Sequence, residues 1–208
     1  MNKFLIASAC VVVLAGMTAN AHAADFKPDG DGYIRNWILL DCFDLDEHAS
    51  EHGEDTQKGF FDKEYFTNEF KATPAVGDKV KIGAADLSWK AGQSDEAVYK
   101  FEPKDNSMYF AVTYVTAPDE VQGAVLSIGS DDSSCWRVNG TDVLRVYAGR
   151  AVEADQDKSK EFTLKKGTNV IFASVINGGG EVGLSCRILD KSGSPVKNVV
   201  ISLTPPAK

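Results

Sequence analysis

Histidine is scarce in this chain, long apolar runs are missing after the first residues, and basic residues never cluster. The 208 residues contain three histidines. His22 lies in the leader discussed below, while His48 and His52 share one acidic stretch. No Gly-x-Ser-x-Gly elbow occurs either, so the nucleophile-and-base arrangement of a hydrolase has almost no material to work with. Two carboxylates far apart in sequence remain the one enzymatic route that composition leaves open. With a net charge of -8 and no Lys/Arg patch, the positive footprint needed for nucleic acid or an anionic membrane surface is absent. Beyond residue 23, no segment approaches the ~20 apolar residues that a spanning helix needs. These absences argue against an enzyme and point to a binding protein.

What is present begins with a leader. Lys3 gives a positive start, Phe4 to Met17 is apolar, and Ala21-His22-Ala23 has the small-x-small pattern that signal peptidase accepts. The expected signal peptide is residues 1–23, and the expected mature chain, 24–208, is exported to the periplasm or the outside without insertion in a membrane. Cys10 raises a lipoprotein reading, but too little apolar sequence precedes it and Ala7 stands where such signals carry Leu. The mature length suits one domain with a sizeable core. Its cysteines, Cys42, Cys135 and Cys186, allow one disulfide and one thiol in an oxidising compartment. Cys186 shares parity with Leu184 and Ile188 and so points inward. Cys42 with Cys186 is the preferred pairing; three buried free thiols are the alternative.

The pattern from Gly32 to Phe43, with Trp37, Ile38, Leu39 and Leu40, is that of a buried strand. Asp44 to Phe70 is acidic and aromatic without a clean period and reads as a long, partly helical excursion. From Asp86 to Leu203, ten short runs of strand formers follow one another, separated by turn residues such as Gly129-Ser130-Asp131-Asp132, Asn139-Gly140 and Gly178-Gly179-Gly180. Asn139-Gly140, between Trp136-Arg137-Val138 and Thr141-Asp142-Val143, is the strongest hairpin signal. Gly178 to Gly180 reads as a hairpin tip. Strands at this spacing make a sandwich or barrel rather than alternating βα units.

Two segments carry a resemblance. Gly129-Ser130-Asp131-Asp132-Ser133-Ser134-Cys135-Trp136-Arg137-Val138-Asn139-Gly140 and Leu164-Lys165-Lys166-Gly167-Thr168-Asn169 look like the "SDDG-x-x-x-W-x-NG … LKKGWN" pattern of galactose-binding-like and protective-antigen-type β-sandwich domains of exported bacterial proteins. Trp37-Ile38-Leu39-Leu40 and Gly183-Leu184-Ser185-Cys186-Arg187-Ile188 look like that family's first and late strands. The resemblance implies an all-β jelly-roll sandwich that often binds glycans, in some members with calcium on the adjacent aspartates, matched here by Asp131 and Asp132. Ser133, Cys42 and Thr168 depart from the family's usual Gly, Gly-Pro-Phe turn and Trp.

As a candidate calcium site, Asp131, Asp132 and Asn139 supply hard oxygen donors, though the ion takes six to eight; the plainer reading is that Asp and Ser bond local backbone in a turn. His48, Glu51 and His52 would share a helix face and could hold zinc, against which stands a solvated acidic loop. A sugar ring needs an exposed aromatic face, for which Trp89, Phe60, Phe61 and Tyr65 are candidates, whereas Trp37 and Trp136 read as core. The Phe60 to Tyr65 group would otherwise plug the open end of the sandwich. Arg150 meets either a ligand or Asp155. Asn139-Gly140-Thr141 is formally a glycosylation sequon in a tight turn. The expected function is a non-catalytic carbohydrate-binding, lectin-like domain, assisted by calcium; the alternative is a cell-envelope protein-interaction domain that binds no sugar.

Overall fold

Strand β1 (Asn36–Asp44) is buried on both faces, which is why its sequence runs apolar without alternation. Trp37 and Leu39 point into one core, Ile38 and Leu40 into another. The computed structural model describes residues 25–206, so the leader, its cleavage site and Cys10 lie outside the described residues. Among those described, no helix is long and apolar enough to cross a membrane.

The other strands are β2 (Lys79–Ile82), β3 (Ala85–Gln93), β4 (Val98–Lys100), β5 (Ser107–Ala117), β6 (Val121–Asp131), β7 (Ser133–Val138) and β8 (Thr141–Val146), followed by β9 (Asp157–Lys158), β10 (Phe162–Leu164), β11 (Gly167–Asn177), β12 (Gly183–Leu189) and β13 (Val200–Ser202). They form two sheets with antiparallel neighbours. The larger runs β2-β3-β1-β5-β11-β7-β8, with β13 also pairing β5; the smaller runs β10-β6-β12-β4, with β9 on β6. The chain crosses between sheets at β3 to β4, β4 to β5, β5 to β6, β6 to β7, β8 to β9, β10 to β11, β11 to β12 and β12 to β13. The fold is therefore the all-β jelly-roll sandwich expected. Phe26 and Ile201 exchange both backbone hydrogen bonds at 2.8 Å, which sets the two ends of the domain side by side.

The first core fills the space between the sheets. Trp37 and Trp136 meet there edge to face at 6.3 Å, and each indole N–H finds an oxygen, Ile34 O at 3.1 Å and Ser134 Oγ at 3.0 Å, which removes the penalty for burying it. The second core lies on the outer face of the larger sheet, where Ile38, Leu40, Trp89, Phe110 and Phe172 are covered by the excursion. That excursion comprises a 3-10 turn (Glu47–Ser50), helix α1 (Glu54–Asp62) and a second 3-10 turn (Glu69–Lys71). It lies across the sheet face and does not plug the end of the sandwich. Burying a side chain such as Trp89 or Phe110 stabilises the fold by about 1.5–3 kcal/mol.

The Asn139-Gly140 turn forms as expected, with φ of 52° and 79°. Two other turn readings are corrected. Gly129 to Asp132 does not close a hairpin, because β6 continues to Asp131 and the chain then passes to the other sheet. Gly178 to Gly180 likewise join β11 and β12 of different sheets. The three cysteines among the described residues are free: Cys186 is at 0% exposure in the first core, whereas Cys42 lies within the register shift of β1 between Leu40 and Phe43, on the half-open edge, so the expected disulfide is not made.

Candidate functional site

Where β6 passes to β7, Asp131 and Asp132 stand side by side, each only 6% exposed. Two loops fold over them. Asp132 Oδ1 accepts the Arg150 amide at 2.9 Å and Oδ2 accepts the Gly178 amide at 2.9 Å, so one carboxylate ties together the loop after β8 and the loop after β11. Asp131 accepts the Val152 amide. Gly129 permits this approach, since a Cβ there would lie 1.7 Å from the Glu153 carbonyl oxygen. Ser130 completes the junction, its hydroxyl donating to Asp132 O at 2.9 Å.

The electrostatics are unbalanced. No Lys, Arg or His forms an ion pair with either aspartate among the described residues. Burial, and then the neighbouring Asp132 charge, push the Asp131 carboxyl up to about 6. Arg150 is close by but engaged: its Nη2 donates to Asp157 Oδ2 at 2.5 Å and to Ser130 Oγ at 3.1 Å, and its Nε donates to Ser130 O at 3.1 Å. Its expected partner was Asp155, which belongs to a different network.

Asn139 is not part of this junction. It sits at the far end of β7, six strand residues or roughly 20 Å away, where its Nδ2 donates to Asn169 Oδ1 and its Oδ1 accepts the Val170 amide, both at 2.9 Å. Its side chain, formally a glycosylation acceptor, is thus engaged by the neighbouring strand β11. The proposed aromatic platform is not assembled either. Trp89 is 3% exposed in the second core, Phe61 is buried beside Tyr147, and Tyr65 packs on Phe43 at 4.7 Å, with the half-buried Phe60 against the same core. Sequence pattern placed these rings in irregular segments and could not show that the excursion turns them onto the sheet.

His48 and His52 do not share a face. His48 Nδ1 pairs with Glu51 Oε1 at 2.9 Å in the open. His52 instead lies across Gly149, beside the Arg150 anchor of Asp132, and Gly178, the other anchor; a Cβ on either would come within 2.4 or 2.9 Å of its ring. Among the described residues, no group of three or more His, Cys, Asp and Glu is arranged to hold a metal. Asp131 and Asp132 nonetheless fit a hard cation in donor type and in charge, two carboxylates with no positive partner, and carbonyls or water would have to supply the remaining oxygens.

Sequence reasoning missed the network behind the junction. Asp155, at φ 62°, accepts from Tyr33 Oη at 2.7 Å, Ser127 Oγ at 2.6 Å, and Arg187 Nε and Nη2 at 2.9 and 2.6 Å. Burial works to raise its carboxyl, yet these hydrogen bonds outweigh burial and hold it below the usual range. The Asp155-x-Asp157 spacing was visible, but not which of the two meets Arg150.

No protein-family model matches the chain, and no curated protein is detectably similar to it. Among solved structures, the PA14 domain of the MpAFP antifreeze protein is similar at 15% identity and a TM-score of 0.43, covering 82% of this chain and 92% of that one. The PA14 sugar-binding domain from an RTX adhesin shows 15% identity and a TM-score of 0.39, covering 80% and 96%. A subtype-switched epithelial adhesin A domain from Candida glabrata, in complex with β-lactose, shows 6% identity and a TM-score of 0.39, covering 89% and 96%. The fold assignment rests on the strand pairing of this chain itself.

Proposed function

We propose that the chain is a non-catalytic carbohydrate-binding domain of an exported protein, with its ligand end at the β6–β7 junction and calcium held by Asp131 and Asp132. The observation that carries this reading is the pair of nearly buried carboxylates without a cationic partner. Leaving two such charges uncompensated is unfavourable, and a divalent cation relieves it. Calcium bound there supplies coordination positions that sugar hydroxyls can take in place of water. The chain's own part is to fix both carboxylates through the Arg150, Val152 and Gly178 amides and to present the exposed backbone of Gly179 and Gly180 at the rim. Carboxylate oxygens held at a loop end suit hydroxyl recognition. The sequence resemblance of Ser130-Asp131-Asp132 and Trp136 to glycan-binding sandwich domains supports the same assignment, as does the leader for export.

Thermal unfolding of residues 24–208 with calcium, with a chelator, and with calcium plus a panel of mono- and oligosaccharides tests it, because a ligand of the native state raises the melting temperature. A calcium shift that is lost in Asp131→Asn, together with a shift specific to one sugar class, is expected. Absence of both shifts overturns the reading and favours the protein-interaction alternative.

A further inference from the structure

A second concavity opens at the edge of the sandwich, where β4 of the smaller sheet faces β1 and β3 of the larger. Its volume is about 330 Å³, within the range of small-molecule pockets. One wall is a run of three rings: Tyr99 to Phe101 at 5.1 Å and 70°, then Phe101 to Tyr109 at 4.8 Å and 44°. Leu39, Ala91 and Cys42 face them. Gly92 lets the two sides meet, since a Cβ there would lie 2.3 Å from Leu39 Cδ1 and 3.1 Å from Tyr99 Cε2. Charge gathers only at the mouth, where Asp41 pairs with Lys90 at 2.5 Å and Glu102 has no ion-pair partner among the described residues.

We propose that this cleft binds a small quaternary ammonium cation of the choline type, with the rings of Tyr99, Phe101 and Tyr109 as its wall and Asp41 and Glu102 at its mouth. The negative faces of the rings attract a cation, and the two carboxylates outnumber the one lysine beside them. The degree of substitution follows from hydrogen bonding. The Tyr109 hydroxyl donates to Glu102 O at 2.9 Å, and the side-chain acceptors inside are the two tyrosine oxygens and the Cys42 sulfur, all of them uncharged. A primary ammonium moving in past the mouth would exchange water for these few neutral acceptors; a quaternary ammonium has no N–H to satisfy. Burial, reinforced by Asp41 and Glu102, raises the Tyr99 hydroxyl pKa, the same field a cation would feel. This site is independent of the carbohydrate reading and uses none of its residues.

The test is a titration of the mature chain in chelator, following each ligand's own proton signals and the melting temperature, with choline, ethanolamine and 3,3-dimethyl-1-butanol, the neutral isostere of choline. Saturable choline binding with a Kd on the order of 1 mM is expected, and about tenfold weaker binding of the isostere and of ethanolamine. Asp41→Asn with Glu102→Gln, both at exposed positions that leave the fold intact, should weaken choline about tenfold, and Phe101→Leu by a similar factor. Equal binding of choline and its isostere, no saturable signal at about 10 mM choline, or binding unchanged in the double carboxamide variant overturns the proposal. Calcium and sugar shifts, read separately, are unaffected by any of these outcomes.

Discussion

Asp155 grips Arg187 with both carboxylate oxygens, Oδ1 taking Nε at 2.9 Å and Oδ2 taking Nη2 at 2.6 Å, while Arg187 lies over the Tyr33 ring at 4.7 Å. Through this pair, the loop carrying the Asp131 and Asp132 anchors is held to the outer face of the smaller sheet. Bidentate charge-assisted bonds are the stronger kind, and both side chains are under one third exposed. Asp155→Ala leaves Arg187 without its partner and should cost about 2–3 kcal/mol in urea unfolding. Because the folded carboxyl is held low, its stabilisation is present above the unfolded aspartate value and is lost as pH falls through the lower folded value. A variant whose acid unfolding matches the parent would show that this grip contributes nothing.

Glu69 titrates with the opposite sign. It is 1% exposed, its Oε2 accepts only the Tyr65 amide at 2.7 Å, and burial pushes its carboxyl from 4.5 up to about 7, with the nearby Arg137 opposing. The native state therefore binds the proton more tightly than the unfolded chain. Stability should fall as pH rises from about 4.5 to about 7, by up to about 3 kcal/mol, and level off above. Asp131 adds a slope of the same sign between 3.8 and about 6 in chelator. Glu69→Gln should flatten the upper part of this profile and raise the melting temperature at pH 8; a profile that keeps its slope between pH 6 and 7 contradicts the assignment.

Two glycine substitutions should separate a packing requirement from mere flexibility. Gly129→Ala sets a methyl 1.7 Å from the Glu153 carbonyl and has only backbone to displace, so a loss of about 2–3 kcal/mol is expected. Gly59, in α1, meets nothing within 4 Å; alanine there should stabilise by about 0.5–1 kcal/mol. Chemical denaturation of both variants gives the comparison directly.

Thiol counting checks the cysteines. With Cys135 and Cys186 buried, and burial raising the Cys135 thiol to about 12 and the Cys186 thiol further, only half-buried Cys42 should react with a disulfide reagent in the native mature chain. All three should react in denaturant. A single reactive thiol after denaturation would instead reveal a disulfide.

Local signals were the legible part of this sequence. Asn139-Gly140 has positive-φ chemistry written into two residues, and the apolar run at Trp37 to Leu40 announces a strand buried on both faces. The sites were less legible because they depend on who covers whom. Trp89 alternates like a surface ring until residues 45–84 fold across it. Asp131 and Asp132 read as a turn, yet Asp132 anchors two loops through amides 18 and 46 residues later, at Arg150 and Gly178. Arg150 has two aspartates within seven residues; it meets Asp157, while Asp155, in a left-handed backbone conformation, meets Arg187. Tyr99, Phe101 and Tyr109 are scattered over one strand, a loop and another strand, and nothing in their spacing shows that they line one edge.

The rung between Phe26 and Ile201 also governs how the domain would bear a load. Because the two strands run antiparallel there, the chain on either side leaves from the same corner, and tension between the ends would open the two bonds in succession, as a zipper, instead of shearing them together. Next in line is β13, held to β5 by three residue pairs. Under force, the last strand would come away first, while the long β5–β11 pairing and both cores stay closed.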